Sequence, residues 1–232
     1  MVVLFIVLIV LVIGGVTALF TGLPRLFLKQ RQNTKNAERQ AFAASQGWYF
    51  SPNAPELLTR WGTRPFTERG DRRVAFGVIS GAYNGVQFTA FDFQLRTHVR
   101  VTNGARSEDN SVYTVWVIHL PTTLPDLTVA RRGFFGRQDA NEVQGLHPEF
   151  SKQYAVYCAQ NPRLAAELLT PAAMQLISQH AQDGFAVQGS DLVYTKKNTF
   201  TRHTPAELVQ TVDMLRALVS SFPQHLWQQR QH

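Results

Sequence analysis

The stretch VAFGVISGAYNGVQFTAFDFQLRTHVRV (residues 74–101) decides how this chain folds. It holds two long runs rich in Val, Phe, Ile and Thr, hinged at Asn84-Gly85. That dipeptide suits a two-residue type I′ turn, because both central positions need positive φ. An antiparallel hairpin is the expectation. SVYTVWVIHLP (111–121) returns after the polar loop 102–110 as a third strand, completing a meander. Upstream, GWYFSP (47–52) reads as a short first strand, and 55–73 as turn-rich with one helical turn around Leu57–Trp61. Downstream, LTVA (127–130) adds a short edge and QYAVYCA (153–159) another strand. FAVQGSDLVYT (185–195) reads as a second hairpin turning at Gly189-Ser190.

Helices follow the meander. Asn161-Pro162 and Thr170-Pro171 each place a capping side chain before a proline at the first helical position. Leu164, Leu168 and Leu169 form one apolar stripe, with Met174 and Ile177 on another. Thr204-Pro205-Ala206-Glu207 is a capping box. Leu208, Val212, Leu215, Val219 and Phe222 then recur at helical spacing until Pro223. The expected class is α+β: an antiparallel meander with C-terminal helices packed on one face.

The N-terminus has a different character. Val2–Leu23 carries no charge and is mostly Val, Leu, Ile and Phe. As a helix it rises roughly 33 Å, enough to cross a hydrocarbon core of about 30 Å. A signal peptide needs a basic leader and a shorter apolar run, and a buried core helix needs a polar face. The run has none of these, so a transmembrane helix over 1–24 is expected. Arg25, Lys29, Arg31, Lys35 and Arg39 follow it against the single Glu38. Positive flanks stay in the cytoplasm. This places the N-terminus outside and the rest inside, with Arg25, Lys29, Arg31 and Lys35 setting topology. Residues 25–46 read as a juxtamembrane basic helix, 47–222 as the cytosolic domain, and 223–232 as a tail. A single cysteine, Cys158, suits a reducing compartment. Gly14 and Ala18 offer only a weak contact for pairing anchors, so oligomeric state stays open.

The net charge of +7 and pI near 9.9 raise the question of nucleic acid. Residues 1–39 hold five basic and one acidic side chain, against eighteen and fifteen in the remainder. Much of the excess therefore flanks the apolar run, where anionic lipid attracts it. No concentrated basic face with a recognition module is legible, which argues against nucleic acid.

Catalytic templates are missing. GFAVQGSD (184–191) has Ser190 where a phosphate loop needs lysine, and no nucleophile elbow is present. The histidines at 98, 119, 147, 180, 203, 225 and 232 form no H-x-x-x-H pair. No metal or cofactor is expected. Asp92, set among aromatic residues, is expected to face solvent or to pair with Arg96 or Arg100. It is also where an alternative reading as a membrane-attached hydrolase or transferase would place its site. His119 reads as a half-buried, satisfied histidine, and Cys158 as a small buried hydrophobe. ARRGFFGRQ (130–138) sets Phe134 and Phe135 among Arg131, Arg132 and Arg137. Beside a bilayer those arginines suit anionic headgroups and the phenylalanines suit the interface.

In the segment 149–179, Phe150, Tyr154, Val156, Pro162, Ala165, Leu168, Leu169, Thr170, Pro171 and Met174 form a pattern. It resembles the signature region of uncharacterised bacterial proteins, actinobacterial ones especially, that join an N-terminal transmembrane helix to a cytosolic domain of unknown function. GAYNGVQFTAFDF (81–93) and GWYFSP resemble their strands. The resemblance implies the anchored architecture and no reaction, cofactor or functional residue. The expected function is a non-catalytic binding or scaffold domain at the cytoplasmic membrane surface, with the bilayer and a protein or anionic headgroup as partners.

Overall fold

The computed structural model describes residues 36–100, 106–133, 141–198 and 203–228. The expected transmembrane helix, with Arg25, Lys29, Arg31 and Lys35, lies outside the described residues, as do Phe134, Phe135 and Arg137. Among the described residues, no helix is long and apolar enough to cross a membrane.

The antiparallel hairpin forms as its sequence dictates. β2 (Arg72–Tyr83) and β3 (Val86–Arg100) meet at Asn84 and Gly85, whose φ values are 45° and 84°. β1 (Tyr49–Asn53) pairs on the far side of β2. β4 (Arg106–Arg131) is the spine of the sheet. Its first half pairs with β3, and residues 128–131 pair with β5 (Tyr154–Tyr157). β6 (Gly184–Lys197) pairs with β4 from Tyr113 to Ala130. All pairings are antiparallel.

Two strand expectations are corrected here. LTVA is the continuation of β4 and not a separate edge. The register between β4 and β6 shifts between His119 and Leu124, where Pro121 falls, so the missing amide donor interrupts no regular ladder. Gly189 is no hairpin turn either. It sits inside β6 at φ 62° and pairs opposite Leu124, at the same irregularity. A left-handed glycine at a bulge carries the strand onward instead of reversing it.

Helices cover one face: α1 (residues 36–45), α2 (Pro148–Gln153), α3 (Pro162–Leu168), α4 (Pro171–His180), α5 (Pro205–Ser220) and α6 (His225–Gln228). Asn161 and Thr170 accept hydrogen bonds from the amides of Leu164 and Ala173, and Thr204 and Glu207 complete the capping box. Under these helices lie Trp116, Ile118, Leu168, Ile177, Leu215 and their neighbours. Ala43 of α1 and Leu226 of α6 are buried in the same core, so both ends of the described chain belong to the packed body. Alternate strand residues point the other way and form a second core of Phe91, Phe93, Val115 and Val117. Its lid is the segment 54–70, which supplies Leu57 from a short 3-10 helix (Pro55–Thr59), at the helical turn expected around Leu57–Trp61, and Trp61 and Phe66 from the turns that follow. The sheet is the middle of three layers.

Candidate functional site

Three buried carboxylates organise the polar interior, each held by an arginine. Asp92 points from the middle of β3 into the helical layer and is fully buried. Arg39, on α1, reaches it at 3.2 Å and also donates to the backbone carbonyls of Gly77 at 2.9 Å and His203 at 3.3 Å. Thr114 on β4 donates to Asp92 at 2.8 Å, and Asn198 donates in turn to Thr114. Arg39 is therefore no surface cation beside a bilayer. It is buried to 1% exposure, and it supplies the ion pair expected from Arg96 or Arg100. Asp92 is sealed from any substrate, which removes the place where a membrane-attached enzyme was to have its site. The pair was hidden because the partners lie 53 residues apart. Arg39 and Ala43 sharing one helix face was the one local hint.

The second cluster is on the opposite face of the sheet, at the margin of the 54–70 lid. Asp191 on β6 accepts from His119 Nδ1 at 2.8 Å, Trp61 Nε1 at 3.0 Å and Arg60 at 3.0 Å. His119 Nε2 faces Thr89 Oγ1 at 3.0 Å. Burial pushes the Asp191 carboxyl up. The hydrogen bonds from His119 and Trp61 and the Arg60 charge outweigh burial and hold it below the usual carboxylate range. A hydroxyl, an imidazole and a carboxylate in line form the order of a nucleophile triad. Catalysis also needs donors aimed at a developing oxyanion. Thr89 lies mid-strand between β2 and β4, so neighbouring amides are spent on the ladders, and Trp61 is spent on Asp191. The arrangement clamps the lid to the sheet, and His119 is the satisfied, partly exposed histidine expected.

The third pair is Arg132 with Glu142. Arg132 also donates to the carbonyl of Ser151 at 2.8 Å, and its side chain is 9% exposed. This corrects its place in the basic–aromatic cluster: the guanidinium is turned inward and is not offered to headgroups. Arg131 remains exposed. Cys158 is buried at 1% exposure, with its thiol donating to the Asn161 carbonyl at 3.0 Å.

Sequence reasoning named no cavity. The structure has a cleft of about 260 Å³ between α2 and α4, lined by His147, Glu149, Phe150, Pro171, Met174 and Ser178. Its walls are mainly apolar, and α2 itself carried no sequence signal beyond Pro148 at its start. Among the described residues no group of three His, Cys, Asp or Glu side chains is placed to hold a metal.

These features define a three-layer α+β domain whose buried charges serve its own packing. No protein-family model matches the chain, and no curated protein matches it in sequence. Among solved structures, the mycobacterial trehalose monomycolate transport factor A, TtfA, shares the fold. The TM-score is 0.54 at 17% identity, over 81% of this chain and 96% of that one. The likeness is one of fold, and the neighbour's actinobacterial origin agrees with the resemblance drawn from the sequence.

Proposed function

We propose that this chain is a single-pass, non-catalytic binding protein, held by residues 1–24 with its body on the cytoplasmic side, that takes part in moving an acylated glycolipid. The observation that carries the reading is the fold shared with a trehalose monomycolate transport factor along most of both chains. Two further features support it. The uncharged run Val2–Leu23 is long enough for a membrane and is followed by cations. The apolar cleft between α2 and α4 suits an acyl chain or an apolar side chain of a partner protein better than a charged substrate.

The test uses the full chain. It should stay with membranes after alkaline carbonate, and deleting residues 1–24 should release it. In detergent or nanodiscs, an environment-sensitive dye on Gln175→Cys, at the cleft rim, should respond to trehalose monomycolate. Free trehalose should give no response, and Met174→Asp should suppress the signal. A chain that is extracted by carbonate, or a dye indifferent to the glycolipid, would sink the reading.

A further inference from the structure

We infer that the end of the sheet bearing Arg69, Arg72, Arg73, Arg96, Lys196 and Lys197 docks on anionic phospholipid headgroups of the bilayer that holds the chain. The inference rests on the anchored reading above and adds which surface meets the lipid and by what chemistry.

The direction of α1 places this end. Arg39 reaches Gly77 and Asp92, whereas Trp48, just past the helix, donates to Ala82 and packs on Phe88. The helix thus runs along the sheet toward the Tyr83–Val86 turn, so its N-terminus points toward the Arg72–Arg96 end. Everything N-terminal to α1 joins the body there. Only residues 25–35 separate that point from the apolar run, a reach of at most about 38 Å fully extended. Four of those eleven residues are Arg25, Lys29, Arg31 and Lys35.

The charge of this end is concentrated by the strand register. Arg72 stands directly opposite Arg96 across β2 and β3. Lys196 and Lys197 close β6 beside them and are exposed, as are Arg69 and Arg72. The register then sets Arg100 opposite Arg106. The acids nearby are Glu68, Asp71, Glu108 and Asp109. Glu68 is engaged by the Tyr113 hydroxyl and lies 3.9 Å from Arg64. Glu108 and Asp109 fall opposite His98 and Thr97. The other end of the hairpin, Ala82–Gln87, has no cation, and its Tyr83 bonds Asp213. The charge of the strands is therefore gathered at the Arg72–Arg96 end, whereas the cations near the turn, Arg216 and Arg60, are paired with Asp213 and Asp191. A screening length of about 8 Å makes close approach necessary for attraction.

The experiment places a donor dye at Thr67→Cys, on the basic end, or at Gln87→Cys, on the far end, in a Cys158→Ala background of the full chain. Acceptor-labelled vesicles contain phosphatidylcholine alone or with phosphatidylglycerol. Energy transfer from position 67 should rise about two-fold with phosphatidylglycerol, and transfer from 87 should not. High salt, or Arg72→Gln with Lys196→Gln and Lys197→Gln, should abolish the rise. Equal transfer from the two positions, or a rise at 87, overturns the inference. Reversal by a short RNA as readily as by salt would reassign the surface to nucleic acid and overturn it also. A chain that floats with neither vesicle overturns anchoring itself, a result distinct from equal transfer.

Discussion

Arg39 and Asp92 illustrate how a buried ion pair acts on its surroundings. Both lie out of water, so removing one leaves an uncompensated charge, whereas replacing both leaves only a packing change. Arg39→Met should cost about 3–5 kcal/mol in denaturant unfolding, and adding Asp92→Leu should restore much of it. His203, whose carbonyl accepts from Arg39, is held below its ordinary 6.5, chiefly by burial, with Glu207 opposing. The unfolded chain then takes a proton that the folded chain resists. This part of stability is complete above about pH 7 and is lost as pH falls through 6.5 toward the folded value. Unfolding free energies measured from pH 7.5 to 5 should fall, and His203→Gln should flatten that slope. Asp191 has the opposite placement: with its carboxyl depressed, its contribution is full above 3.8 and disappears only below the folded value. None of these pairings was legible beforehand. The sequence shows which residues are charged, but the partners 53 residues apart meet through the packing of α1 on the sheet, and those 72 apart through the register of β4 and β6.

Elements whose signals are local were readable, and those set by distant pairing were not. The capping box at Thr204 and Glu207 spans three residues and forms as expected. Thr204→Ala should cost about 1 kcal/mol, seen as a lower denaturation midpoint with unchanged slope. Gly189-Ser190 was misread because glycine followed by serine has the same appearance in a turn and in a bulge. Only the continuous partner, β4, decides between them. Gly81 shows the same dependence on context. A Cβ there would stand 2.3 Å from the Trp48 ring, which lies across the strand and anchors α1. Gly81→Val should therefore destabilise by about 1–3 kcal/mol and change tryptophan fluorescence, while Gly85→Ala, with open space around it, should strain only the turn.

At the scale of the molecule, the α+β class followed from order: strands first, then capped helices. The three-layer form did not, because the segment 54–70 holds only one short 3-10 turn (Pro55–Thr59) and covers its face with Leu57, Trp61 and Phe66 from turns of no regular period. Layering also governs what reagents can reach. Cys158, between the sheet and α3, should resist thiol reagents in the folded chain and react only on unfolding, as mass spectrometry under native and denaturing conditions would record. A sidedness assay therefore needs a cysteine introduced at an exposed site such as Tyr49, which is 67% exposed.

The spine strand β4 sets the order in which this protein can be made. It receives β3 from earlier in the chain and β5 and β6 from later, so one of its long edges stays bare until residue 197 has left the ribosome. By then the apolar leader has long since emerged. The sheet is thus still half built when most of the chain has been made, and the nascent body needs shielding at that edge until β6 arrives.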